Sequence, residues 1–162
     1  MKQELCAYVA GLVDSEGCIT VSKHRKSSSY VSINPYVFIT NTYLPILEKV
    51  QKDFGGQIQA CTKRAPYKKV VYILYFTGKN ALSFLSKIRK YVRLKNLQID
   101  LLFKLGKLKN NTSDKNRKSN RYILRQPNEN SNWHVVKAIN PIIIKREQKI
   151  LLQMRKLNKR GI

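Results

Sequence analysis

The stretch Val9-Ala10-Gly11-Leu12-Val13-Asp14-Ser15-Glu16-Gly17 reads as the end of a short apolar helix, dense in small residues, that closes on two carboxylates and a glycine. Ala7, Ala10, Gly11 and Asp14 fall at helical intervals of three and four, so one face carries almost no side chain and admits a second backbone. Such a face suits a helix that packs against its own copy. Two copies meeting at a twofold axis would bring two Glu16 carboxylates together at the helix ends, and crowded carboxylates need a cation to balance them. The spacing therefore implies a dimer and a divalent metal together. The plainer alternative is a buried helix with a capped C-terminus.

Outward from this stretch, charge sets the partner class. The chain has 162 residues, 43% of them apolar, enough for one globular domain with a substantial core. Thirty-two Lys and Arg oppose nine Asp and Glu, and the resulting +23 is spread along the chain, which points to DNA or RNA. No stretch approaches the ~20 apolar residues of a spanning helix, and no polybasic amphipathic segment stands apart, so a membrane partner is not expected. Leu5 to Val13 is flanked by Glu4 and Asp14, which argues against a signal peptide. Cys6, Cys18 and Cys61 have neither metal-ligand spacing nor an even count, so a reducing compartment is expected, either an organelle (chloroplast or mitochondrion) that encodes the gene or a prokaryotic cytoplasm.

Periodicity then orders the elements. A helix over Lys2 to Asp14 leads into a strand over Cys18 to Arg25, and a second strand follows over Tyr30 to Thr40 with Val31, Ile33, Val37 and Ile39 on one face. Pro35 within it predicts an edge or a bulge. Leu44, Leu47, Val50 and Phe54 mark a second helix opened by Thr42 and stopped by Gly55-Gly56. Gln57 to Lys63 and Lys69 to Phe76 form a hairpin, and helices near Asn80 to Tyr91 and Leu94 to Leu108 are predicted to cover the back of the sheet. Positions 110–132 are polar and basic and read as a long loop or arm. Trp133, Val136 and Ile139 are read as helical, followed by a helix after Pro141 from Ile142 to Leu157.

The opening stretch resembles the LAGLIDADG motif of homing endonucleases and intron maturases. Val9 stands where the consensus has Leu, Ala10 and Gly11 are as expected, Leu12 and Val13 keep the apolar pair, and Asp14-Ser15-Glu16-Gly17 supplies the acidic end with Glu for the second Asp. The order of elements also resembles that family's αββαββα core, an α+β fold whose curved four-stranded antiparallel sheet sits on DNA, here over about residues 2–108 with extra C-terminal helices. One motif per chain implies a homodimer through the motif helix, with Ala7, Ala10, Gly11 and Asp14 at the interface. The resemblance implies Mg²⁺ held by Glu16 and the Ser15 carbonyl, and solvent-organising roles for Asn41 and Lys95. The stretch Tyr91 to Gln98 departs from the family pattern, since Leu97 occupies the place where a catalytic Lys is often found; Lys95 is the nearest substitute.

On such a sheet the outward residues lie in the major groove, where all four base pairs are distinguishable. Strand parity nominates Thr20, Ser22, His24 and Lys26; Ser32, Asn34, Tyr36, Phe38 and Thr40; Gln57, Gln59 and Lys63; and Lys69 on the fourth strand, whose outward Val71, Ile73 and Tyr75 are apolar. Arg64, Lys68 and Arg93 are expected on phosphates, which position without reading sequence. The resulting expectation is a Mg²⁺-dependent homing endonuclease that makes a double-strand break in a long pseudo-palindromic DNA site and promotes intron mobility. The alternative is an intron maturase, an RNA-binding splicing factor on the same fold.

Overall fold

The computed structural model describes residues 3–25, 31–61, 70–112, 121–127, 133–139 and 141–159. The chain runs α1 (Gln3–Glu16), β1 (Gly17–Arg25), β2 (Val31–Asn41), α2 (Leu44–Phe54), β3 (Gln57–Cys61), β4 (Val71–Thr77), α3 (Gly78–Ile88), α4 (Asn96–Thr112), β5 (Arg121–Pro127), β6 (Trp133–Ile139) and α5 (Pro141–Lys159). The first four strands form one antiparallel sheet in the order β1-β2-β4-β3. β5 and β6 pair antiparallel as a separate two-stranded sheet.

Period-two alternation divides the four-stranded sheet into a core face and an outer face. Ile19, Ile33, Val37, Ile39, Leu74 and Phe76 are buried beneath the helices, while Thr20, Asn34, Tyr36, Phe38, Thr40, Ile73 and Tyr75 are half-buried on the other side. Phe84 of α3 binds the core together: it stacks on Phe76 at 4.1 Å between ring centroids and meets Phe54 of α2 edge-on at 5.5 Å. Both arrangements suit the ring quadrupole. Gly56 makes this closure possible. Its φ is +96°, and a Cβ there would lie 2.8 Å from the Phe76 ring and 2.9 Å from Leu74.

β2 is central at one end and exposed at the other. β4 ends at Thr77 opposite Tyr36, so among the described residues the segment Val31 to Pro35 has β1 on one side and no strand on the other. The Ile33 N–H accordingly points away from β1 and donates to the buried Glu147 carboxylate of α5 at 3.4 Å. Pro35 shares its parity with Ile33 and so places its missing N–H toward the same strandless side, where a ladder partner is not needed. The edge expected from Pro35 is therefore a local one within a central strand.

The C-terminal third corrects the sequence reading. α4 extends to Thr112, and positions 121–127, expected within a basic loop, form β5. Trp133–Ile139, expected to be helical, is β6. The run Trp133-His134-Val135-Val136 is equally compatible with either period, and its β-branched content and pairing partner decide for strand.

Candidate active site and nucleic-acid interface

The end of α1 is fixed by two side chains acting on backbone. The Asp14 carboxylate accepts from the Arg93 N–H at 2.7 Å and the Leu94 N–H at 3.3 Å, tying the helix end to the segment that leads into α4. Lys95, in that same segment, sends its ammonium back to the helix, donating to the carbonyls of Val13 at 2.8 Å, Asp14 at 2.9 Å and Gly17 at 2.6 Å. Helix C-termini leave carbonyls unpaired and carry partial negative charge, so a cation there answers both needs. Lys95 is 9% exposed; burial lowers its pKa, while Asp14, Cys18 and Glu16 act in the opposite direction.

Gly17 lets β1 start directly against this clamp. A Cβ at Gly17 would stand 2.6 Å from the Val13 carbonyl oxygen and 2.8 Å from its Cα, so any larger residue pushes the strand off the helix end. The result is that Glu16 is exposed at a rigid junction of helix and sheet. Beside it, the Thr40 hydroxyl lies 3.5 Å from the Glu16 carbonyl oxygen. Asn41 follows, with its side-chain oxygen accepting from the Tyr43 N–H at 2.8 Å in a turn that leads into α2. The Ser15 hydroxyl bonds back to the carbonyls of Gly11 and Leu12. Thus Ser15, Glu16, Thr40, Asn41 and Lys95 gather around one corner of the sheet.

Lys95 directs all three of its N–H donors at backbone carbonyls, so it holds the helix end in place. The exposed face of α1 also differs from the small-residue set expected from spacing. Ala10 is fully buried in the chain's own core, and Asp14 is committed to the Arg93 and Leu94 backbone. The outward residues of α1 are Glu4, Ala7, Tyr8, Gly11 and Ser15, with open space where a Gly11 side chain would be. Ala7 and Gly11 of the expected set lie on this face; Ala10, about 60° round the helix from Ala7 and about 100° from Gly11, turns inward with Val9 and Val13.

The expected base readers separate into groups. Thr20 and Ser22 on β1, Tyr36, Phe38 and Thr40 on β2, and Gln57 and Gln59 on β3 share the outer face with Val71, Ile73 and Tyr75 of β4. Ser32 and Asn34 are engaged within the chain: the Lys109 ammonium donates to the Ser32 hydroxyl at 3.1 Å and to the Asn34 side-chain oxygen at 2.8 Å. Lys109 also pairs with Glu147 at 3.7 Å. His24 lies on β1, with its side chain outside the described set; Lys26, Lys63, Arg64, Lys68 and Lys69 lie outside the described residues altogether. Arg93 is exposed and contributes its backbone N–H to Asp14.

The Lys109 and Glu147 cluster was missed from sequence, although a signal existed. Ile143, Glu147, Ile150 and Met154 recur at core spacing along α5, which puts an acid, one of nine in the chain, at a position otherwise reserved for apolar residues. Cys18 was also passed over on the outer face. Burial raises its pKa, so the thiol stays protonated and acts as a small apolar group.

Comparison with known proteins now decides the family. The model of the LAGLIDADG endonucleases matches residues 9–102, more than half of the chain and the whole of α1 through β4 and α3 apart from the first turns of α1. The chain belongs to the LAGLIDADG endonuclease family. Among solved structures, this LAGLIDADG chain is similar to the homing endonuclease I-CvuI, crystallised with the I-CreI target in the presence of Mg, at a TM-score of 0.65 and 20% identity, covering 96% of this chain and 82% of that one. It is similar to the archaeal intron-encoded homing endonuclease I-Vdi141I complexed with DNA, at a TM-score of 0.66 and 17% identity over 96% and 86% of the two chains. It also resembles the group I intron-encoded I-CeuI, likewise complexed with DNA, at a TM-score of 0.56 and 17% identity over 68% and 57%. These identities speak to the fold, and they extend it past the motif to the C-terminal elements. No curated protein sequence matches the chain.

Proposed function

We propose that this LAGLIDADG endonuclease acts as a homodimer joined through the outward face of α1, and makes a Mg²⁺-dependent double-strand break in a long, pseudo-palindromic DNA site, so promoting the mobility of an intron. The observation that carries this reading is an exposed Glu16 at a helix end that Asp14 and Lys95 hold rigid. A twofold pair of such chains would present the same reading face to each half-site, which is why palindromy follows.

The donor chemistry fits a hard divalent cation. Glu16 offers carboxylate oxygens beside helix-end carbonyls, the oxygen donors that a hard cation takes. Among the described residues no three of His, Cys, Asp and Glu come together. An open site completed by water, phosphate and a second Glu16 suits Mg²⁺, which keeps several of its waters. Glu16 and the Ser15 carbonyl would hold the ion, which when bound supplies charge neutralisation at the phosphate and a lowered pKa for attacking water. Asn41 and Thr40 border the same corner, where their polar groups would orient solvent. Lys95 acts one step removed, by fixing the backbone from which Glu16 projects.

The test is cleavage of a plasmid carrying the intronless insertion site, with Mg²⁺ or EDTA, by wild type and Glu16→Gln. The expected result is Mg²⁺-dependent double-strand cutting by wild type, reduced in the variant by about 10³-fold or more, equivalent to ~4 kcal/mol of barrier, with DNA affinity retained. Tight binding without cutting by wild type would overturn the nuclease reading in favour of a splicing factor.

A further inference from the structure

The outer face of the sheet has an unusual centre for a chain that carries +23. Its register aligns one complete row across all four strands: Cys18 of β1 opposite Phe38 of β2, Phe38 opposite Tyr75 of β4, and Tyr75 opposite Gln57 of β3. Three strand spacings make this row roughly 14 Å wide, comparable with the ~12 Å major groove. Tyr36 joins it from the next row, with ring centroids 5.6 Å from Phe38 and 6.1 Å from Tyr75. On the other side of Tyr75 along β4 stands Ile73, between Thr40 and Gln59. The Tyr75 hydroxyl is spent on the Gln57 side-chain oxygen at 2.6 Å, so Tyr75 presents chiefly its ring. All four of Tyr36, Phe38, Ile73 and Tyr75 remain half-exposed.

Polar base edges do not suit such a surface. Placing base amino groups or carbonyls against aromatic and aliphatic carbon strips them of water without a replacement hydrogen bond. The major groove offers one apolar feature, the C5-methyl of thymine, and apolar side chains are its natural contact. Building on the reading of this face as a DNA-binding surface, we propose that the patch of Tyr36, Phe38, Ile73 and Tyr75 selects thymines in each half-site through their C5-methyl groups, with Gln57 and Gln59 as the polar readers on its β3 side. The basic character of the rest of the chain brings the phosphates in, and the patch sets which bases are accepted beneath them. The same contact distinguishes DNA from RNA, because uracil lacks the methyl group.

The test is selection of duplexes from a randomised DNA pool by the full chain without magnesium, followed by binding titrations in which single thymines of the recovered site are replaced by deoxyuridine. Thymine is expected at a cluster of positions in each half-site. Deoxyuridine there should weaken binding about fourfold per methyl, with no change at thymines elsewhere. Phe38→Ser and Ile73→Ser lie on the half-exposed face; they should erase the deoxyuridine effect, with circular dichroism of each variant checking that the fold is kept. Recovered sites that tolerate deoxyuridine everywhere, or equal binding to an RNA duplex of the same sequence, would overturn the methyl-reading patch alone. Recovery of no preferred DNA sequence would overturn it together with the nuclease reading.

Discussion

Two lysines turned inward at opposite ends of one hairpin show how the same side chain does different work. Lys95, just before α4, grips the start of β1 and the end of α1; Lys109, in the last turns of the same helix, grips the far end of β2. The partners differ in kind. Lys95 meets three backbone carbonyls, which have fixed positions once the helix and strand exist. Lys109 meets two side chains and a buried carboxylate, which must themselves be held in place. A clamp on backbone registers two elements against each other, whereas a clamp on side chains closes an edge and neutralises a buried acid. The backbone clamp sits at the end that carries Glu16, and the side-chain clamp sits toward the other end of β1 and β2.

The sharpest way to break the comparison is Lys95→Met. It strips a buried cation from three carbonyls at once and should cost about 3 kcal/mol in chemical denaturation. The DNA-cutting rate should fall with it even at temperatures where the variant is fully folded. A loss no larger than that of an exposed lysine substitution would show that water replaces the clamp. Next in size, Gly17→Ala forces a methyl against the Val13 carbonyl and should destabilise by about 2 kcal/mol, readable in the same unfolding titration. A neutral result would mean that β1 can slide away from the helix end without penalty.

At the other end, Glu147→Gln keeps an acceptor for the Ile33 N–H but removes the charge opposite Lys109. It should cost about 1 kcal/mol, reduced from the full value for a buried pair because Lys109 retains 26% of its side-chain exposure. A double-mutant cycle with Lys109→Met should show positive coupling; additive losses would separate the two groups energetically. The smallest effect is one of pH. Burial depresses the pKa of folded Lys95 below the ordinary value of 10.5, so between the two values the unfolded chain binds more protons than the folded one. Stability contributed at this site therefore rises with pH across that window. Urea midpoints of wild type minus Lys95→Met should climb toward pH 10.5, and a flat difference would contradict the burial.

How far the chain can be read in advance depends on whether a signal is local. The αββαββ order came through because each helix and strand carries its own period, and the outward parity of Tyr36, Phe38 and Thr40 follows from alternation alone. Glu16 was legible as the last carboxylate of a helix rich in small residues. Positions 121–127 and 133–139 were not, because short β-branched runs satisfy both periods and only pairing between β5 and β6 settles them. Ala10 was misplaced because a small residue looks alike on a dimer face and in a tight core; the depth of its neighbours decides which it is.

The sequence by itself determined the αββαββ elements, the charge that demands a polyanion, and the carboxylate that ends α1, since these depend on residues adjacent in the chain. The tertiary structure alone decided what Lys95, Lys109 and Glu147 do. Their partners in α1, β1 and β2 lie 75 to 114 residues away, and an ammonium or carboxylate on a helix has no local preference among a phosphate, a carbonyl and water. Only folding removes the water and presents the partners within reach.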